Sequence, residues 1–211
     1  HFKEQGRMIH TELNGCRISI LPVIKGLRSE YDRVKSQIDD SYDCVAVTLS
    51  IEDIELFSNM PEDIEYDPSD FDAVYAHFLK QFGDVDVPVP AFKAVVDACM
   101  ENGTKPIPLE MCDEEFTAAY CDCVKVWDML KERRLLKKAM KNGFDMSTPE
   151  SFLKEWDAMA NSMKGQYALT LRREEHIAKE IIALTAYKRS ILAVIEFERV
   201  DGILQELGAS L

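Results

Sequence analysis

Short β-rich runs alternate with amphipathic helical stretches along this chain, and no other feature narrows its fold as much. Residues 8–13 (MIHTEL) and 16–24 (CRISILPVI) read as strands separated by Asn14-Gly15. That pair supplies the positive φ angles of a tight type I′ turn, which predicts a hairpin. Ser29 is placed to cap a helix through about Asp39, with Val34 and Ile38 on its inward face. Residues 43–49 (DCVAVTL) form an apolar run short enough for a buried strand. Strand, helix and strand in succession predict a right-handed parallel crossover.

The remainder continues the alternation. Residues 50–57 predict a helix, and 59–69, with Pro61 and Pro68, an irregular acidic loop. Residues 71–82 predict a helix with Phe71, Val74, Tyr75, Phe78 and Phe82 on one stripe. A linker over 84–88 leads to a helix over 90–101 that stops at Asn102-Gly103. Residues 105–110 read as a strand, weakened by Pro106 and Pro108, which have no N–H for a ladder. A long helical stretch over 113–141 is interrupted or followed by Asn142-Gly143. Thr148-Pro149 opens another helix, followed by a helix over 170–187, a strand over 191–195 and a short helix over 201–207. The expected fold is α/β, with a mainly parallel central sheet, an edge hairpin, flanking helices and a helical insertion before the last strand. Residues 8–211 are expected to form a single domain, with 1–7 an N-terminal extension or tag remnant.

A length of 211 residues, 46% of them hydrophobic, provides a sizeable core without disulfide support. Cys16, Cys44, Cys99, Cys112, Cys121 and Cys123 are therefore expected as reduced thiols, which points to a cytoplasmic location. No run approaches the roughly 18–20 apolar residues of a membrane span, and the N-terminus lacks the pattern of a secretory signal. The net charge of −13 repels polyanions, so no nucleic-acid partner is expected. The charge is unevenly spread. Between Lys35 and Lys80 there is no Lys or Arg, while Lys131, Arg133, Arg134, Lys137, Lys138 and Lys141 crowd one helical segment. These patches read as two solvated faces, or as surfaces that pair within a monomer or across a homodimer.

Four phrases, in order, carry a family resemblance: ISILPVIKGLRSEYDRVKSQIDDSYDCVAVTLS, AFKAVVDACMENGTKPIPLEMCDEEFTAAY, LRREEHIAKEI and LAVIEFERVDGI. Over residues 17–207 the chain resembles the TraB family, which includes the pheromone-shutdown proteins and is related to Tiki-type metal-dependent proteases. The wider fold group holds erythromycin-esterase-like and ChaN-like proteins. The resemblance implies two Gly-x-x-His strand ends and a glutamate, which in metal-dependent relatives would hold an ion. In this chain Lys25 and Arg199 stand at the histidine places, Pro22 and Glu196 at the glycines, and Thr48 at the glutamate. The family's aspartate falls near Glu110 or Met111. Arg173, Glu174, Ala178, Val200, Gly202 and Ile203 keep the pattern, with Ile177 for the family's methionine.

Lysine and arginine are cations that offer no ready lone pair, so neither a metal nor another cofactor is expected. Strand C-terminal ends are where ligands gather in such sheets, which makes Lys25, Glu110, Arg173, Glu196, Glu198 and Arg199 the ligand-binding candidates. The network they form is either closed by ion pairs or open to a small carboxylate or phosphate through Arg173 and Lys25. The functional expectation is a non-catalytic binding, scaffold or regulatory domain with a small anion or a protein as partner. The alternative is a hydrolase or transferase with a remodelled site built on Arg173 and the nearby glutamates. Cys121 and Cys123 lie two apart on a helix and read as packing residues. A Cys112–His176 nucleophile pair is a minor alternative, and His10 and His77 read as surface or packing residues.

Overall fold

The structure, a computed structural model, describes residues 7–60, 66–86 and 89–209. Strands β1 (Ile9–Leu13) and β2 (Cys16–Val23) pair antiparallel. Their turn places Asn14 at φ 52° and Gly15 at φ 74°, the left-handed angles that the Asn-Gly pair predicts. Strands β3 (Cys44–Val47), β4 (Ile107–Pro108) and β5 (Ser190–Glu196) complete a five-stranded sheet of order β1-β2-β5-β3-β4. All pairings except the hairpin are parallel. The last strand in the chain is thus the central one. It separates β2 from β3, so the crossover expected between those two skips a place.

Helices α1 (Glu30–Lys35), α2 (Ile51–Ser58), α3 (Asp70–Leu79) and α4 (Pro90–Glu101) fall between β2 and β4. Between β4 and β5 run α5 (Asp113–Cys123), α6 (Val126–Asn142), α7 (Pro149–Asn161) and α8 (Lys164–Leu184), and α9 (Phe197–Ala209) follows β5 directly. Ser50, Ser69 and Thr148 cap α2, α3 and α7 through their hydroxyls. Ser29 does not cap α1: it is itself helical and makes no side-chain cap bond, and α1 ends four residues earlier than expected. The stretch 113–141 is two helices broken at Val124 and Lys125, both extended. The strand expected over 105–110 pairs only at Ile107 and Pro108, as its two prolines dictate. Residues 61–65 and 87–88 of the expected acidic loop and linker lie outside the described residues.

The period-two alternation of β5 divides the core. Ile191, Ala193 and Ile195 pack with Ile177 and Ile181 of α8 and Val200 and Ile203 of α9. Leu192 and Val194 face Val95 of α4, Ile54 of α2 and Val34 of α1. Both faces of β5 are covered, so it reads as a continuous apolar run. A third cluster lies beyond the end of β2, where Ile24 and Leu27 meet Phe78, Leu136, Phe152 and Trp156 of α3, α6 and α7. No described helix is long and apolar enough to cross a membrane.

Candidate functional site

The parallel register brings the C-terminal ends of the strands to one edge. Val23 pairs with Glu196 and Val47 with Val194, so Lys25, Thr48 and Glu110 each follow a strand end beside Glu196. The backbone at Lys25 is pinned there. Its carbonyl accepts a 2.7 Å hydrogen bond from the Tyr75 hydroxyl, and the Gly26 carbonyl accepts one of 2.9 Å from the Asp86 N–H. Gly26 has φ 104°, and an added Cβ would lie 2.8 Å from Leu79, so the turn that aims Lys25 requires glycine.

Arg173 on α8 binds two of these ends together. Its Nε donates to Glu110 Oε1 at 2.9 Å and its Nη2 to Glu196 Oε1 at 2.7 Å. The other Glu196 oxygen accepts the Thr48 hydroxyl. Burial alone would raise the Glu196 carboxyl. The Arg173 and Lys25 charges and the Thr48 and Arg173 hydrogen bonds outweigh it and hold the group at about 2, so Glu196 is ionised. Glu110, not Met111, belongs to this cluster; Met111 is buried in an apolar one.

Arg199 on α9 forms a second cluster deeper between helices, only 3% exposed. Its Nη1 donates to Glu174 of α8 at 2.6 Å and its Nη2 pairs with Asp157 of α7. Here burial wins. It raises both carboxyls, and Arg199 only partly offsets it. Gly202, one turn along α9, faces Glu174 so closely that an added Cβ would overlap the carboxylate.

A cavity of about 350 Å³ opens onto these residues, within the usual range of small-molecule sites. Phe71, Tyr75 and Trp156 give it an aromatic side, and Lys25, Arg173, Glu198 and Arg199 a polar one. The two arginines are committed to carboxylates. Lys25, half-buried, and exposed Lys80 line the cavity with no carboxylate within 4.0 Å among the described residues. Glu198 Oε2 is shielded from solvent and accepts no hydrogen bond among those residues. Burial raises this carboxyl, Lys25 opposes the rise, and the charge on Glu196 adds to it.

Of the ligand-binding candidates named from the sequence, Lys25, Arg173, Glu198 and Arg199 line one cavity, and Glu110 and Glu196 join it only through Arg173. Glu110, Arg173, Glu196 and Arg199 are closed into ion pairs, while Lys25 and Glu198 remain open. Asp157, Tyr75 and Trp156 were not candidates. Each sits on a helix whose spacing signals only packing, and nothing in the linear chain announces that α3 and α7 meet the sheet edge.

The metal implied by the family resemblance does not fit these residues. Glu110 and Glu196 direct their oxygens at Arg173, and among the described residues no three His, Cys, Asp or Glu side chains are grouped to hold an ion. Elsewhere, all six cysteines are free thiols. Among the described residues no hydrogen bond joins Cys112 to His176; the Cys112 N–H donates to Glu115, and His176 Nε2 lies 4.0 Å from Glu180. His10 bonds Ser19 at 2.9 Å. No protein-family model matches the chain, and no curated protein matches it.

Proposed function

We propose that this chain is a TraB-type domain in which buried ion pairs stand where relatives hold a metal, and that it is a cytoplasmic, non-catalytic binding domain. Its ligand is a small anion, a carboxylate or phosphate, with an apolar or aromatic body. Support for the family comes from four phrases in the family's order and from the meeting of their marked residues at one sheet edge.

The cavity carries the functional reading, because its cationic groups are unequally engaged. Arg173 through Nε and Nη2, and Arg199 through Nη1 and Nη2, are held by carboxylates that neutralise much of their charge. Lys25 retains its three donors beside the Phe71, Tyr75 and Trp156 wall, and a desolvated ammonium there attracts an anion more strongly than one in water. Glu198 completes the polar end: protonated, it adds a donor toward the same anionic group. The hydrolase or transferase alternative relies on Arg173 to hold its substrate, and the Nε and Nη2 of that guanidinium are already bonded to Glu110 and Glu196.

Calorimetric titration with aromatic and aliphatic carboxylates, phosphates, and the matching amines and neutral amides tests the reading. Anions bind, amines and amides do not, and Lys25→Met weakens anion binding at least about tenfold, the equivalent of 1.4 kcal/mol, while the melting temperature holds. Equal binding of all three classes, or an unaffected Lys25→Met variant, refutes it. Turnover of ester or amide analogues would move the assignment to the hydrolase or transferase class.

A further inference from the structure

In a molecule of net charge −13, α6 concentrates cations on its exposed surface. Arg133, Arg134, Lys137, Lys138 and Lys141 are all exposed, and none has a carboxylate within 4.0 Å among the described residues. Trp127, Leu130, Arg134, Lys138 and Lys141 recur at i, i+3, i+7, i+11 and i+14, which draws one stripe along the helix. The stripe runs opposite the face that buries Leu136 and Ala139. Trp127 is 80% exposed and Leu130 42%, so the stripe begins with an indole and an aliphatic side chain left in water. Its 17 residues span about 25 Å.

The complement lies on the same chain. From residue 36 to residue 79 there is no cation, and α2 within that stretch exposes Asp53 and Glu55 together with Ile51, 48% exposed, and Leu56, 51% exposed. Exposed Asp67 lies in the same stretch, and none of these three carboxylates is ion-paired among the described residues. Within the monomer no ion pair joins α2 to α6 among the described residues. The two helices pack on other elements, α2 on α4 and β4, and α6 on α3 and α8.

We infer that α6 docks on the acidic, partly apolar α2 surface of a second copy of this chain, Trp127 and Leu130 meeting Ile51 and Leu56 while the lysines and arginines meet Asp53 and Glu55. One helix-on-helix contact falls short of the about 800 Å² per partner of a standard stable interface. Two-fold symmetry repeats it, each α6 seating on the other copy's α2. The dimer is correspondingly weak and salt-dependent. It is independent of the cavity and its ligand, so either assignment stands or falls alone.

Sedimentation equilibrium of the full chain at about 50 mM and about 500 mM salt, across the Debye-length range that separates open from screened surface charges, provides the test. At low salt the mass approaches twice 24.1 kDa, and at high salt it returns to the monomer value. The doubly reversed Lys137→Glu/Lys138→Glu and Asp53→Lys/Glu55→Lys variants are each monomeric. Mixed in equal amounts they associate, since each now offers only surfaces the other complements. All four substitutions are on exposed side chains, and the salt series on the unaltered protein needs no variant. A monomer under every condition, a dimer indifferent to salt and to both variants, or nucleic acid that co-elutes with the unaltered protein and is lost from Lys137→Glu/Lys138→Glu each overturns the inference.

Discussion

Arg173 and Arg199 face the same circumstance, a guanidinium near the end of the sheet between two carboxylates, yet Glu196 beside the first and the two acids beside the second behave oppositely. Glu196, beside Arg173, also accepts the Thr48 hydroxyl and feels the charge on Lys25, and its carboxyl is held at about 2. Burial raises both Glu174 and Asp157, and their direct bonds to Arg199, with the more distant Arg173 charge, only partly offset it. A buried carboxylate thus stays ionised where a hydroxyl and a second cation add to its bonded arginine, and is raised where burial exceeds what the bonded arginine supplies. The same imbalance explains why the cavity polarises around Lys25 and Glu198, which neither arginine engages through a direct bond.

The comparison breaks most sharply at Arg199. Arg199→Met leaves buried Glu174 and half-buried Asp157 without their directly bonded cation and is expected to cost about 3–5 kcal/mol at neutral pH. The raised folded values set the sign of the pH dependence. Protons bind these acids more tightly in the folded chain, so the penalty shrinks as pH falls toward those values. Urea unfolding at pH 7 and pH 5 measures it, and an equal loss at both would contradict the account. Arg173→Met costs less, because Glu196 keeps Thr48 and Lys25, and the reverse ranking would undo the comparison.

Gly202→Ala comes next. Its methyl group has no room beside the Glu174 carboxylate, and overpacking of this kind costs about 1–3 kcal/mol. Glu174→Ala clears the space, so a double-mutant cycle returns a coupling of the same order; simple additivity would mean that the two residues do not meet. The smallest effect belongs to Thr48→Val, about 1.5 kcal/mol for a hydrogen bond to a charged group. Glu196 is depressed when folded, so its stabilisation is present above its ordinary carboxyl value and lost as pH falls through about 2. Losing the Thr48 bond lifts that lower limit, and the acid-unfolding midpoint moves to higher pH. An unmoved midpoint would show that Arg173 and Lys25 suffice.

How much of this was legible depended on the range of the interactions concerned. Asn14-Gly15 and the Thr148-Pro149 pair act within a few residues, and their turn and helix start stand where the chain announces them. Ser50 and Ser69 cap by the same local rule, although the sequence alone reads them as part of a helix and of a loop. Pro106 and Pro108 likewise announce the two-residue β4, since a missing N–H is a local fact. The break at Val124 and Lys125 carries no glycine or proline. Asp128 makes it by accepting the Lys125 N–H at 3.0 Å and, from the start of α8, the Gly165 N–H at 3.1 Å.

The sequence by itself determined the element types, the apolar alternation that gives β5 two buried faces, and the marked residues Lys25, Glu110, Arg173, Glu196, Glu198 and Arg199. Only the tertiary structure decided that β5 lies between β2 and β3, that Asp157 joins Arg199, and that Arg173 is closed while Lys25 is open. Helical and strand periods are written into neighbouring residues. Which charge finds which partner is a matter of desolvation and distance between segments up to 148 residues apart, as for Thr48 and Glu196, and no local pattern encodes that choice.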